Sequence, residues 1–381
     1  MPLSVSAGLR CARYLSPVSI QDVDTSSGLK VLEIDDLRNR VAGSVTAMIN
    51  SQIPTLKKVS SEIHVLTDFL SEMMAGGKRL RPAFAYWGYR AAGGTDNAEI
   101  LEAATALEFL QACALIHDDL MDDSDTRRGN PSIHKKFEAL HTQNNWQASA
   151  IQFGAGGAIL LGDLCLSWAD EMLMNSGFEN PQLKNAKQLY DLMRTELLAG
   201  QYLDLLEQAK SDSDLNNILQ VITYKSAKYT IERPLHMGAL LAGADANVVQ
   251  VLTDYGIPLG IAFQLRDDLL GVFGDEKVTG KPAGDDLCEG KHTVLVSIAL
   301  KKLNADKAEV LKSKLGNKDL SAEDIKMLQE LLNGSGAVEE VEKLIAENRE
   351  KALTALNSDL LNKDAVYVLA NLAVAATERS S

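Results

Sequence analysis

The sequence predicts an all-α chain, and three observations carry that expectation. From about Leu32 onward apolar residues recur at helical spacing, alternating strand patterns bounded by turn residues are scarce, and two segments are apolar on nearly every face. Helices of this last kind belong at the centre of a bundle, where every side meets another helix. With 381 residues and 46% hydrophobic content the chain can bury a large core. No internal repeat or low-complexity linker divides it, so one helical domain is expected over 32–381, behind a flexible extension at 1–31.

Leu37, Val41, Val45 and Met48 share one helical face, and Val59, Ile63, Leu66, Leu70 and Met73 share another, until Gly76 and Gly77 break the pattern. Asp96 with Glu99 forms a capping-box signature. The helix it heads runs through Ile100, Ala103, Leu107, Leu110 and Ala114 into Asp118, and is the first of the two that are apolar all round. The second spans about Val248 to Phe273, with a kink expected at Pro258, and carries Asp267 and Asp268 near its end. Amphipathic patterns predict further helices from about Ala150 to Met174, Leu183 to Glu207, Leu215 to Leu241 with an interruption at Pro234, and Thr293 to Leu303. Three charged helices follow Ser321.

The formal net charge of -14 argues against a protein that coats nucleic acid, which needs a basic field. Cys11, Cys113, Cys165 and Cys288 are scattered singly with no zinc or disulfide spacing, which reads as reduced thiols and favours the cytoplasm. No transmembrane segment is expected, because the stretch around Ala158 to Leu166 is broken by Asp163. Residues 1–21 hold Arg10, Arg13, several serines and no acid, a composition shared with organellar transit peptides, and are read here as a flexible extension.

The first central helix ends in Asp118, Asp119, Leu120, Met121, Asp122, Asp123, Ser124 and Asp125. On a helix Asp118 and Asp122 are i and i+4, which puts their carboxylates on one face about 6 Å apart. Carboxylates crowded at a helix C-terminus are opposed by the helix dipole and by one another, so a cation is expected among them. Oxygen donors suit magnesium, which keeps several waters and completes its shell with substrate phosphates. An EF-hand is excluded, since Arg127 and Arg128 stand where that loop needs a ligand and a glycine. None of the six histidines has zinc spacing. Asp267 and Asp268 end the second central helix in a similar way, which suggests two carboxylate sets facing each other across a central cavity.

Positive charge is grouped locally. Gly76 to Pro82 places Lys78, Arg79 and Arg81 around a tight turn, Arg127 and Arg128 follow the first aspartates, and a helix bearing Lys225 and the loop holding Lys277, Lys281 and Lys291 supply more positive charge. The segment from Gly274 to Lys281 fails as a phosphate loop, because its glycine spacing is one residue too long and Pro282 replaces the metal-binding hydroxyl. Gly154, Gly156 and Gly157 are read as close helix packing or a helix-start feature rather than a phosphate cradle.

Taken in order, GGKRLRP at 76–82, DDLMDDSDTRRG at 118–129, GQYLD at 200–204, YKSAKY at 224–229, and FQLRDDLLGVFGD at 263–275 with TGKP downstream resemble the trans-isoprenyl diphosphate synthases, over about Arg38 to Asn371. The resemblance implies the isoprenoid synthase fold and the condensation of isopentenyl diphosphate with an allylic diphosphate (dimethylallyl, geranyl or farnesyl). It implies that Asp118, Asp119, Asp122, Asp267 and Asp268 hold magnesium, three ions with the allylic diphosphate bound, assisted by Arg127, Lys225 and Lys281. It assigns isopentenyl diphosphate to Lys78, Arg81, Arg128 and Gln111, places Ser226 and Gln264 beside the allylic cation, and implies a homodimer. Gly271 departs from the family pattern, standing where many members carry a third aspartate. Asp275 is the candidate to assist there.

The growing tail is expected to run down the first central helix away from the metals, one helical turn of about 5.4 Å per isoprene unit. Cys113 and Ala114, one turn below Asp118, are small, so the floor is expected at Phe109, Leu110 or Leu107 and the product at C20, geranylgeranyl diphosphate. Longer prenyl chains and farnesyl diphosphate are the alternatives. A class I terpene cyclase would not need the Lys78 to Arg81 turn, and a non-catalytic partner subunit would not keep both aspartate sets.

Overall fold

The structure, a computed structural model, describes residues 28–210, 214–274 and 283–378, with side chains from residue 36 on. Arg10, Arg13 and Cys11, and likewise Asp275, Lys277 and Lys281, lie outside the described residues.

Helices account for nearly all of the described chain. α1 (Gly28–Val59) buries Leu37, Val41, Val45 and Ile49. Val59 ends it exposed, because Ser60 stops the helix and caps a 3-10 turn at Ser61–Ile63 before α2 (His64–Met74) buries Thr67, Leu70 and Met74. α3 (Leu80–Ala91) leads to the central α4 (Ala98–Met121). The cap of α4 is Asn97 rather than Asp96: the Asn97 side chain accepts from the Ile100 amide, while Asp96 is drawn away by Arg40, at 2.8 Å. Both residues can cap, and a partner distant in sequence decided between them.

α5 (Ile133–Gln143) packs on α6 (Ala150–Met174). A Cβ on Gly154 would lie 2.6 Å from the His134 carbonyl and one on Gly157 would lie 2.5 Å from the Phe137 ring, so two of the three glycines serve close packing; Gly156 meets nothing within 4 Å. α7 (Asn180–Lys210) precedes α8 (Leu215–Val221). The chain then enters a π-helix, Ile222–Glu232, and returns to α-helix as α9 (Arg233–Leu241), with Pro234 in its first turn. The expected interruption at Pro234 is thus a change of helix register. α10 (Ala246–Phe273), the second central helix, runs through Pro258.

Beyond it come α11 (Asp285–Cys288), α12 (Val294–Lys302), α13 (Ala305–Lys314), α14 (Ala322–Gly334), α15 (Ala337–Ala355) and α16 (Lys363–Thr377). Several expectations are corrected here. α3, α5 and α13 were missed, α13 because it buries little besides Leu311 and so has a weak apolar face, and α16 is not charged but buries Val368, Leu369, Leu372 and Ala373.

A first core surrounds α4 and the early part of α10; a second surrounds the last turns of α10 with α8 and α12 to α15. Their shared edge is a cavity of about 1170 Å³ into which the C-terminal ends of α4 and α10 both open.

By length and composition α4, α6 and α10 are each apolar enough to cross a membrane, which corrects the expectation of no such run. A single Asp163 does not cancel the hydropathy around it. In α4 67% of the apolar window is buried in the bundle, whereas in α6 only 28% is. α4 is therefore a core helix, and α6 carries an uncovered apolar face.

Candidate active site

One wall of the cavity is the end of α4. Asp118 lines it, accepting from Gln201 Nε2 at 2.8 Å and from Lys225 Nζ at 3.3 Å. Burial pushes its carboxyl up, but Lys225, Arg127 and Lys291 outweigh that and leave it below its ordinary value. Asp122, one turn on, is pushed up to about 6 by burial and by the charge of Asp118. Its Oδ1 is buried with no hydrogen-bond partner. Asp119 points elsewhere: it is 1% exposed and is gripped by Arg127, whose Nε donates at 2.8 Å. Arg127 lines the cavity and Asp119 does not, and in this structure they hold each other.

A short hairpin follows, Thr126–Arg127 against Asn130–Pro131. Its central residues Arg128 and Gly129 both have positive φ, 53° and 75°, as a tight two-residue turn between strands demands. The turn returns Arg128 to the Gly76–Gly77 loop, where its Nη1 donates to the Gly76 carbonyl at 3.2 Å. A Cβ on Gly77 would stand 3.4 Å from that guanidinium, and its φ of 127° suits only glycine. Lys78, Arg81 and Arg128 thereby line one mouth of the cavity. Arg81 lies over the Tyr229 ring at 4.3 Å and donates to Thr230 Oγ1 at 2.7 Å. Arg79 sits buried against Glu108.

The third wall is the π-helix. Gly200 of α7 and Gly260 of α10 let the flanking helices close on it, since a Cβ at either would meet its backbone within 2.8 Å. Its wide turn points Lys225, Ser226, Tyr229 and Thr230 into the cavity. Lys225 bridges Asp118 and Asp204, at 3.3 and 2.5 Å. Ser226 Oγ donates to Gln264 Oε1 at 2.6 Å, and Gln264 Nε2 donates to Asp268 Oδ1 at 2.8 Å. Burial pushes the Asp268 carboxyl up to about 8, with the charge of Asp286 adding to it. Asp267, Asp268 and Gly271 complete the wall opposite Asp118.

Among the described residues no three His, Cys, Asp or Glu side chains converge tightly enough to cage an ion by themselves. A magnesium ion here would take its remaining oxygens from water and from a phosphate. The unpartnered Asp122 Oδ1 beside Asp118 fits such a cation.

A family model described as polyprenyl synthetase matches residues 63–332. The chain belongs to that family, the trans-isoprenyl diphosphate synthases. A geranylgeranyl diphosphate synthase of Saccharolobus solfataricus is 32% identical, over 79% of this chain and 83% of its own. An octaprenyl diphosphate synthase of Escherichia coli is 29% identical over 88% and 97%. A crystal structure of a geranylgeranyl pyrophosphate synthase from Corynebacterium glutamicum, complexed with isoprenyl diphosphate and magnesium, superposes with a TM-score of 0.88 at 40% identity, covering 91% of this chain and 99% of the other. This synthase is accordingly a trans-prenyltransferase of the all-α isoprenoid synthase fold, acting with magnesium on isopentenyl and allylic diphosphates.

The floor of the synthase's cavity differs in part from expectation. On α4 it is Glu108, Gln111, Ala114, Leu115 and Asp118 that line the cavity. Cys113, Phe109 and Leu110 are buried on neighbouring faces, Cys113 with Sγ 3.7 Å from His117 Nδ1 and Phe109 edge-on to Trp168. Gln111 accepts from the Tyr229 hydroxyl at 2.9 Å. Sequence reasoning quoted Gln201 and Asp204 within a motif without giving them a task. Their i, i+3 spacing on α7 was the available signal, and they orient Asp118 and Lys225. Asp286 and Glu289, which pair with Lys291, were missed altogether.

Proposed function

We propose that the chain makes geranylgeranyl diphosphate as its main product, adding isopentenyl units to dimethylallyl, geranyl or farnesyl diphosphate. Asp118 on one wall with Asp122 one turn on, and Asp267 and Asp268 on the other, together with Asp119, would hold magnesium, three ions with the allylic diphosphate bound. Magnesium, when bound, supplies Lewis-acid stabilisation for the charge that gathers on the departing diphosphate. Lys225, fixed by Asp204, adds a permanent cation beside Asp118; Arg127 adds a second, and Lys281 is assigned the same task from outside the described residues. Lys78, Arg81 and Arg128, with Gln111, hold isopentenyl diphosphate, so that its double bond faces the carbon whose bond to oxygen breaks. A carbon–carbon bond forms there, and the displaced diphosphate takes the proton that is lost. The Ser226 hydroxyl and the Gln264 amide, locked together by their hydrogen bond, flank the transient cation. No covalent nucleophile is required.

The C20 assignment is supported by one observation above others: the wall one turn below Asp118 is Ala114, which leaves room for the tail. Chromatography of the alcohols released by phosphatase tests it. The wild type is expected to give geranylgeraniol and Ala114→Phe mainly farnesol; the same distribution from both would contradict the assignment. Cys113→Phe is expected to change product length less, because Cys113 faces α6.

A homodimer is proposed as well. Its support is the exposed apolar face of α6 and α7, where Ile151, Leu160, Leu198 and Tyr202 are each more than 60% exposed. A cytoplasmic location is proposed from the single, scattered placement of Cys113, Cys165 and Cys288.

A further inference from the structure

The π-helix Ile222–Glu232 turns Lys225, Ser226, Tyr229 and Thr230 into the cavity. Lys228 does not line the cavity. With Arg233, the first residue of α9, it meets a single carboxylate of α7, that of Glu196. Arg233 Nε donates to Glu196 Oε2 and its Nη2 to Oε1, both at 2.8 Å, and Lys228 Nζ donates to Oε1 at 3.3 Å. All three side chains are largely buried, between 11% and 18% exposed, so water and salt screen the network little. Lys228 and Arg233 are five residues apart. An α-helix of 3.6 residues per turn would point them about 140° away from each other. Bonding from i to i−5 instead stacks residues five apart, one turn above the other. The backbone makes that bond between the same two residues, the Arg233 amide donating to the Lys228 carbonyl. Lys225 and Thr230, also five apart, both face the cavity. Glu196 thus bridges, through side chains, the pair that the last π bond joins through the backbone.

We infer that Glu196 is a positioning residue: by holding Lys228 and Arg233 on one side of the segment it keeps the π-register, and so keeps Lys225 turned toward Asp118. Glu196 does not line the cavity and acts only through Lys225. α7 serves both ends of this arrangement, since it also carries Gln201 and Asp204, which hold Asp118 and Lys225 themselves. Without the Glu196 charge the two cations lose their common partner, and the segment is free to relax toward the ordinary α-register, in which Lys225 leaves Asp118. The inference rests on the task proposed above for Lys225.

A double-mutant cycle on kcat tests it, using the full-length protein with farnesyl diphosphate, isopentenyl diphosphate and magnesium, and a circular dichroism melt to show that each variant is folded. Glu196→Gln keeps the shape and removes the charge. It is expected to lower kcat at least about tenfold, but less than about threefold when introduced into Lys225→Gln, where there is no cation left to position. A purely structural role would lower the melting temperature in both backgrounds and leave the two kcat ratios alike. If Glu196→Gln does not fold, Lys228→Met, which leaves Arg233 on Glu196, takes its place and is judged by the same comparison. A folded Glu196→Gln with the wild-type kcat would overturn the inference, and so would an equal fall in both backgrounds. A Lys225→Gln that keeps the wild-type kcat would instead remove the task of Lys225, and the inference with it, while leaving the aspartate clusters untouched.

Discussion

Lys78, Arg79 and Arg81 arrive as one basic turn, but the residue between the two cavity cations is committed to Glu108 with both side chains under 10% exposed. Sequence spacing shows the charge and not its partner, which lies on α4. Arg79→Ala strands a buried carboxylate and is expected to cost about 3–5 kcal/mol of stability. Urea unfolding checks this, and Arg79→Ala/Glu108→Leu is expected to recover most of the loss. Asp118 differs, because its partners are cavity residues. Asp118→Asn is expected to lower kcat about 10²–10³-fold while leaving the melting temperature nearly unchanged, read from initial rates and a melt on the same preparation.

His236 gives the pH dependence. Its ring is 3% exposed, with Thr253 Oγ1 at 3.0 Å from one nitrogen and Arg233 Nη1 at 3.5 Å from the other, and Lys228, Glu196 and Glu232 close by. Burial, then the charges of Arg233 and Lys228, push it down to about 3 from the ordinary 6.5. The unfolded chain takes up a proton below pH 6.5 that the folded chain refuses until about 3. Stability is therefore present above 6.5 and lost as the pH falls toward 3, with a slope of at most ~1.4 kcal/mol per pH unit. Unfolding midpoints measured at several acidic pH values are expected to fall less steeply in His236→Gln than in the wild type.

Among the elements, α4, α6 and α10 were legible because their apolar patterns are long. The register of the segment around Lys225 was not. Period counting showed a helix broken near Pro234, whereas the choice between i−4 and i−5 bonding depends on how α7 and α10 close on that segment. Pro234 lacks the N–H that an α-register would use across the junction. Pro234→Ala restores it and is expected to let α-register spread back into the π-turn, rotating Lys225 and Ser226 off the cavity. The expected signature is a fall in kcat of at least about tenfold in a protein no less stable than the wild type. An unchanged kcat would show that the proline does not hold the π-register. Asp286 was illegible for a similar reason: only the folded loop brings it to the cavity.

For the whole molecule, the pairing of two aspartate clusters across one cavity was legible from their repeated placement at the ends of buried helices. The lateral face of α6 was not, because apolarity alone cannot separate a core helix from an uncovered one. Light scattering of the eluting protein is expected to show a dimer, and Leu160→Arg/Leu198→Arg a monomer or a weakened dimer. A monomeric wild type would remove that assembly from the account.

The central claim is that both clusters serve one magnesium-dependent condensation. It is tested most directly by incubating the purified chain with farnesyl diphosphate, labelled isopentenyl diphosphate and magnesium, and separating the dephosphorylated products. The account predicts a labelled C20 alcohol that disappears with chelation and falls sharply in both Asp118→Asn and Asp267→Asn. A folded wild type that forms no elongated product, or one that keeps its rate in Asp267→Asn, would contradict it.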